Sequence, residues 1–290
     1  MLAQILLNGI IVGSIYALVA IGFVVVYRSV AMFNFAQTEY YTLGGMLFAT
    51  LLAVTGLPFL IALLATAAAG ALVGIVSERV AFRRLLLVQA PPVNVIIASI
   101  ALGIILRSLI LLAWGPDAYR VPSLGDDPIT LVGLLVTPQQ VFVVAATAST
   151  VGLVSLFLQK TRLGLALRAT ASNRTVAGLM GVPLGVVLPV SFGLSAGLGA
   201  LGGLLVAPIM LAQFSMGQAI LVKALAAGIL GGLSSIPGVI VGGLVVGLAE
   251  NLAGAYVSSA YKDVVGFAVL IVVLALRPSG ILGTRIQEKV

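Results

Sequence analysis

The sequence predicts an all-α polytopic integral membrane protein, and three observations predict it. Mean hydropathy is +1.25, far above that of a soluble domain. Of the 290 residues, 61% are hydrophobic and only 8% are charged. Apolar runs of about 20 residues recur along the whole chain, the length a helix needs to cross a hydrocarbon core about 30 Å thick. Backbone groups in lipid must be satisfied within the protein, which leaves helices or closed barrels. Barrel strands alternate polar and apolar residues, and these runs do not. Nothing resembles a separate soluble domain, so residues 1–290 are read as a single transmembrane domain.

The opening MLAQILLNGIIVGSIYALVAIGFVVVY lacks a basic leader region and is too long for a signal peptide, so it is read as the first span. Apolar run length then places candidate spans at roughly 5–26, 33–54, 58–77, 94–113, 139–158, 184–208, 219–250 and 262–277. Charge orients them, because basic residues concentrate in cytoplasmic loops. The 78–84 loop carries Arg79, Arg83 and Arg84 and is placed inside. Arg28 is then also inside and the N-terminus outside. The 114–138 loop falls outside, where Asp117, Asp126 and Asp127 stand against Arg120 alone. The 160–181 segment falls inside, and the tail with Arg277, Arg285 and Lys289 is placed inside as well.

An inside C-terminus needs an even number of crossings after residue 181, yet three candidate spans remain. The 219–250 segment resolves this, since 32 residues of helix would run about 48 Å. It is interrupted at Gly231, Gly232, Ser234, Ser235, Pro237 and Gly238. The expectation is therefore about eight to nine membrane segments, with a broken or re-entrant helix near 231–238. Irregular backbone at that depth is tolerated only where protein or water covers it. Thirteen of the 34 glycines fall in 193–247, several at four-residue spacing, such as Gly238/Gly242 and Gly243/Gly247. Small residues so spaced let membrane helices approach closely.

The formal charge of +7 does not point to nucleic acid, because the basic residues sit beside the spans. There are no cysteines and no histidines, which excludes disulfides, thiol chemistry, Cys/His zinc sites, haem ligation by either and His-based acid–base catalysis. No GxxxxGK[ST] or HExxH pattern occurs. The four aspartates lie in expected loops or at a span edge, so a paired-aspartate intramembrane protease is not supported. Charges inside spans are functional candidates because each is costly there. Glu39 sits in the polar patch Asn34-Phe35-Ala36-Gln37-Thr38-Glu39. Arg107 lies well inside the fourth span, where Glu39, another acid or helix-end carbonyls should neutralise it. Glu250 ends the broken segment and is read as a structural or interfacial residue. A stand-alone transporter or channel would need an ion or proton site, for which Glu39 is the one plausible carrier.

The stretch KTRLGLALRATASNRTVAGLMG, residues 160–181, is a basic island with Lys160, Arg162, Arg168 and Arg174 and no acid. Residues 163–179 are rich in helix formers, and Gly181 and Pro183 stop the helix. It is too short to span, and long for a bare connector, since helix–helix connections typically take about 2–8 residues. A soluble partner gripping it, or a bed of anionic headgroups beneath it, would explain it.

These residues resemble a known family. T-R-L-G-x-A-x-R-A-T-A-x-N-x-x-x-A-x-x-x-G looks like the cytoplasmic coupling motif of ABC importer permeases. FNFAQTEYYTLGG is similar to the NFAHGE-type motif of branched-chain amino acid permeases, the LivH family. KALAAGILGGLSSIPGVIVGGLVVGLAE and LALRPSGILG resemble that family's C-terminal motifs, and NGIIVGSIYALVAIGFVVVYRSV fits its first span. The resemblance implies a type II-like permease of the bacterial cytoplasmic membrane, one half of a two-permease core. Its partners would be a related or identical second permease, two cytoplasmic ATPases that bind ATP and Mg, and an extracytoplasmic substrate-binding protein. The chain itself would carry no cofactor and no catalytic residue. Family carry-over puts Thr161, Arg162, Gly164, Arg168, Ala169, Asn173, Ala177 and Gly181 in the coupling element. Asn34, Gln37, Thr38, Glu39 and Arg107 are the candidate pathway or structural polar residues. Gln37 and Thr38 stand where the family usually has His and Gly, and relatives of the family also carry urea, short amides and aromatic acids.

Overall fold

The computed structural model describes residues 2–88, 90–125, 127–131, 134–233, 235–258, 261–277 and 280–283. The expected break residue Ser234, Asp126 of the 114–138 loop and the tail residues Arg285 and Lys289 lie outside the described residues. Among the described residues, six helices are long and apolar enough to cross a membrane: Leu2–Val30, Phe59–Leu87, Pro92–Trp114, Pro138–Lys160, Leu184–Met210 and Ile236–Tyr256. The shorter helices Gln37–Ala53 and Met216–Gly231 lie between them, and Lys262–Leu276 follows the last. In chain order these are α1 (Leu2–Val30), α2 (Gln37–Ala53), α3 (Phe59–Ser77), α4 (Arg83–Leu87), α5 (Pro92–Trp114), α6 (Pro138–Lys160), α7 (Arg162–Ser172), α8 (Arg174–Leu179), α9 (Leu184–Met210), α10 (Met216–Gly231), α11 (Ile236–Tyr256) and α12 (Lys262–Leu276).

The sequence-based boundaries move in four places. The expected 78–84 loop is helix: a π-helical turn, Glu78–Phe82, joins α3 to α4 without a break. The second span begins at Gln37 rather than 33, because residues 31–36 are non-helical. The long 219–250 segment divides into α10 and α11, and α11 runs on to Tyr256. The 114–138 connection adds a small antiparallel hairpin, Ile129–Leu131 with Leu134–Val136, to an otherwise helical chain.

α1 is the axis of the bundle. It is apolar all round, and such a helix is stable only when surrounded by protein or lipid. Here protein surrounds it: Leu18, Val19, Ala20, Ile21 and Val24 are fully buried. α9 and α11 flank it. Contact between apolar helices in lipid depends on close packing rather than on expulsion of water. At the α1–α11 crossing, Gly13 leaves no room for a Cβ, which would stand 2.8 Å from the Gly243 carbonyl oxygen and the Leu244 Cα. Gly203 of α9 likewise abuts the Tyr41 carbonyl of α2. α5, by contrast, is peripheral, and its Ile104, Ile105, Leu109 and Leu112 are exposed. An apolar band of this kind on a membrane protein is its lipid or partner-facing surface.

The bundle has two distinct ends. At one, Gln4 of α1 exchanges hydrogen bonds with the Leu135 backbone, donating at 2.8 Å and accepting at 3.2 Å. Tyr119 bridges to Ala212 of the α9–α10 turn, and Trp114 Nε1 donates to Thr50 Oγ1 at 2.6 Å. At the other end stand Arg28, α4, α7, α8 and the α10–α11 turn. There Ile281 and Leu282 donate their backbone N–H groups to the carbonyls of Leu230 and Gly231. The α1 N-terminus and the 280–283 segment therefore lie at opposite ends.

Candidate functional site

Three polar constellations stand out from the apolar bundle. The first is the basic end. The island is two helices rather than one, α7 and α8, meeting at Asn173. Thr161 caps α7, its Oγ1 accepting from Gly164 N at 2.9 Å. Asn173 caps α8, its Oδ1 accepting from Val176 N at 3.0 Å. Short polar side chains at N-caps satisfy the helix's first free N–H groups, so both motif residues have a local structural task. Gly181 has φ +85°, a left-handed conformation suited to glycine, and ends α8. Gly164 is buried against α6: a Cβ there would lie 2.6 Å from the Cα and carbonyl oxygen of Leu158. This residue of the expected coupling element closes the α6–α7 corner of its own chain. Ala177 is buried too. Ala169, with Arg162, Leu165, Asn173, Val176 and Met180, lines an open groove between α7 and α8.

Arg162 lines that groove, and three further arginines stand at the same end of the bundle. Arg168 is exposed and reaches the Gln159 carbonyl at 3.5 Å. Arg28 and Arg168 line one small pocket with Ser29 and Ile236. Arg174 donates to the Leu86 carbonyl at 2.8 Å, tying α8 to α4. Burial draws its guanidinium below the ordinary arginine range, and the Glu78 charge opposes that.

The second constellation is the non-helical entry to α2. Asn34 Oδ1 accepts from Ala36 N at 3.2 Å, and Phe35 N donates to Ser99 Oγ of α5 at 3.2 Å. Side chains thus replace the missing helical bonds, as buried irregular backbone requires. Gln37 is fully buried. Its Nε2 donates to the Ser195 carbonyl at 2.9 Å, while Ser195 Oγ lies 2.6 Å from Gln37 Oε1 and 2.7 Å from the Gly22 carbonyl. Gln37 is thus a three-helix junction of α1, α2 and α9. Thr38 accepts at its carbonyl from Thr42 Oγ1, which in turn accepts from Gly217 N at 3.0 Å. Glu39 occupies the first turn of α2, where the helix dipole favours an anion. Its Oε2 is buried without a hydrogen-bonding partner among the described residues. Arg107 does not close an ion pair with it among the described residues; its guanidinium stands over the Phe214 ring, 5.4 Å from the centroid. A π face offsets part of the cost of burying a cation.

The third constellation was not legible as a unit. Glu250 of α11 pairs with Lys223 of α10 at 2.6 Å, and Tyr16 of α1 donates its hydroxyl to the other carboxylate oxygen at 2.6 Å. Lys223 Nζ also stands 5.8 Å from the centre of the Tyr16 ring. Glu250, read from the sequence as a structural or interfacial residue, is held by internal helices rather than by an interface. They line a cavity of about 220 Å³. Sequence reasoning passed over Lys223 because it lies inside an apolar run, and an intramembrane lysine was itself the available signal. Glu78 was likewise assigned to a loop; it is 2% exposed, on the π-helical turn.

The α2 patch, α9–α11 and the capped island lie along one continuous chain, and a single family model spans them. The model described as "Branched-chain amino acid transport system / permease component" matches residues 5–274. The chain belongs to this permease family. The high-affinity branched-chain amino acid transport system permease protein LivH of Escherichia coli K12 is 34% identical over 307 residues, covering 99% of this chain and 97% of that protein. The permease protein BraD of Pseudomonas aeruginosa is 34% identical with the same coverage. A probable LivH of Methanocaldococcus jannaschii is 30% identical, covering 97% of this chain and 92% of that protein. As a member of this permease family, the chain is a multi-pass membrane transport component.

Proposed function

We propose that the chain is the translocation-pathway subunit of an ATP-driven importer of branched-chain or related amino acids. Its full-length relatedness carries this reading: 34% identity to a named high-affinity branched-chain permease, over 99% of the chain. The whole chain acts as one permease domain. The N-terminus and the 114–138 connection face outward. Arg28, Arg83, Arg84, the α7–α8 island and the C-terminal end face the cytoplasm, where basic residues accumulate. Counting α1, α2, α3, α5, α6, α9, α10, α11 and α12 as crossings gives an odd number, in keeping with termini at opposite ends of the bundle. On this count α10 and α11 are separate crossings.

The exposed α7–α8 groove is the surface offered to a cytoplasmic ATPase, with Arg162, Arg168 and Ala169 accessible and Thr161, Asn173 and Gly181 shaping the two helices. Two such ATPases would hold ATP and Mg, and a second permease and an extracytoplasmic binding protein would complete the assembly. The departure at Gln37 and Thr38 favours altered packing over altered substrate, because the Gln37 amide is spent on Ser195. The test is reconstitution of the chain with the products of neighbouring genes in liposomes. Uptake of labelled leucine, isoleucine and valine should require internal ATP and the binding protein. Uptake that ignores ATP, or that favours urea, acetamide or benzoate, refutes the reading.

A further inference from the structure

The cavity beside the Lys223–Glu250 pair has the makings of a ligand site. Both charged residues lie roughly two helical turns, about 10 Å, from the helix ends that carry the α9–α10 turn and Tyr256. Their side chains are only 20% and 8% exposed. An ion pair so placed seldom improves stability over apolar residues of the same shape, because desolvation offsets the attraction. Ionisable groups at such depth are therefore functional candidates. The cavity, about 220 Å³, has the pair and Tyr16 on one wall. Val12, Ile15, Val206, Met210 and Ile220 form an apolar wall, and Gln213, Asn251 and a second lysine, Lys262, also line the cavity. One polar edge and one apolar wall is the ordinary layout of a small-molecule site.

The geometry points to this cavity as a transient binding site for a zwitterionic amphiphile, an α-amino acid with an apolar side chain, on the permease itself. The inference rests on the proposed substrate class and adds where that substrate stops. An amino acid has an ammonium and a carboxylate on one carbon. Laid antiparallel to the pair, it sets its carboxylate against Lys223 Nζ and its ammonium against Glu250. The ligand brings no net charge into the membrane, and the four alternating charges satisfy one another. The Tyr16 hydroxyl holds Glu250 from the far side, so the carboxylate stays oriented while the ligand arrives. The apolar wall accepts the aliphatic side chain. A fatty acid or an amine of the same shape would leave Glu250 or Lys223 facing an uncompensated group, and should bind worse.

Two experiments test this on the assembled transporter. In the first, labelled leucine is equilibrated at millimolar concentration with the wild-type complex, lacking its binding protein, in nanodiscs. Unlabelled leucine should displace it, and 4-methylpentanoate and isoamylamine should each be about tenfold or more weaker. Equal displacement by either overturns the site, as does absence of saturable binding. In the second, uptake is compared for wild type, the neutral double variant K223M/E250Q and the swapped pair K223E/E250K. Both variants should assemble with the ATPases and keep ATP hydrolysis stimulated by loaded binding protein, while leucine uptake falls about tenfold or more. The swap keeps an ion pair but reverses its direction, and the fixed apolar wall keeps an L-amino acid from turning to match. Full uptake by the swapped pair assigns these residues a structural role and overturns the site. A wild-type complex that transports no branched-chain amino acid instead overturns the substrate reading, and this site with it.

Discussion

Gly164 and Ala169 sit five residues apart in one motif, yet the fold gives them different neighbours, so they should fail differently. Replacing Gly164 by Val places a Cβ 2.6 Å from the Leu158 Cα and carbonyl oxygen. Real side chains do not tolerate such an approach, and the neighbour is backbone, which cannot rotate away. Overpacking typically costs about 1–3 kcal/mol. The backbone neighbour argues for the upper end, and the Thr161 Oγ1 bond to Gly164 N is strained at the same time. A loss of about 3 kcal/mol should lower the thermal midpoint of the purified chain by several degrees, roughly 5 °C or more. The assay is thermal unfolding in detergent, followed by size-exclusion chromatography, for Gly164→Val beside Gly164→Ala and wild type. Gly164→Ala should lie between them. A Gly164→Val protein with the wild-type midpoint would refute the claim that this glycine closes the α6–α7 corner. It would return the residue to a role in contacting a partner.

Ala169→Leu should leave the midpoint within about 1 °C of wild type, because the groove it lines is open, but should weaken co-purification with the ATPase; unchanged co-purification counts against the groove as the docking surface. The single variants Lys223→Met and Glu250→Gln each strand one partner. Given the partial exposure of Lys223, each should cost about 2–3 kcal/mol, less than the roughly 3–5 kcal/mol of a fully buried pair, with the double variant recovering most of the loss in a thermal double-mutant cycle. Gln37→Ala removes the amide that joins α2 to Ser195 and should cost about 1–3 kcal/mol, seen as lower folded yield, while Gln37→His should fold. In the cysteine-free background, Gln4→Cys should react with an impermeant maleimide added outside intact cells and Arg168→Cys only after lysis; the reverse pattern inverts the proposed orientation.

Composition and run length by themselves determined that the chain is a helical membrane protein, because the bilayer demands internally bonded segments of a set length. That the 32-residue run is interrupted was legible for the same reason, since it is too long for one crossing, but the break is narrower than 231–238: α10 ends at Gly231 and α11 begins at Ile236, which leaves Gly231, Pro237 and Gly238 helical. The island was legible as helix-forming and basic, but its division at Asn173 was not, since a capping residue inside an apolar-periodic stretch looks like any helical position until its side chain turns to Val176. Helix 78–82 was read as a loop because charge marks a membrane edge without saying whether the helix continues through it.

Side-chain partnerships between distant helices could only come from the tertiary structure. Glu250 could have met a headgroup, Arg107 or Lys223; the α1–α10–α11 packing chose Lys223 and Tyr16, 27 and 234 residues away in the chain. Gln37 could have lined a pathway, but the approach of α9 turned it to Ser195. A sequence states how costly a buried polar group is and therefore that it needs a partner; which partner it finds depends on helix crossings set by glycines such as Gly13 and Gly203, whose close contacts no local pattern encodes.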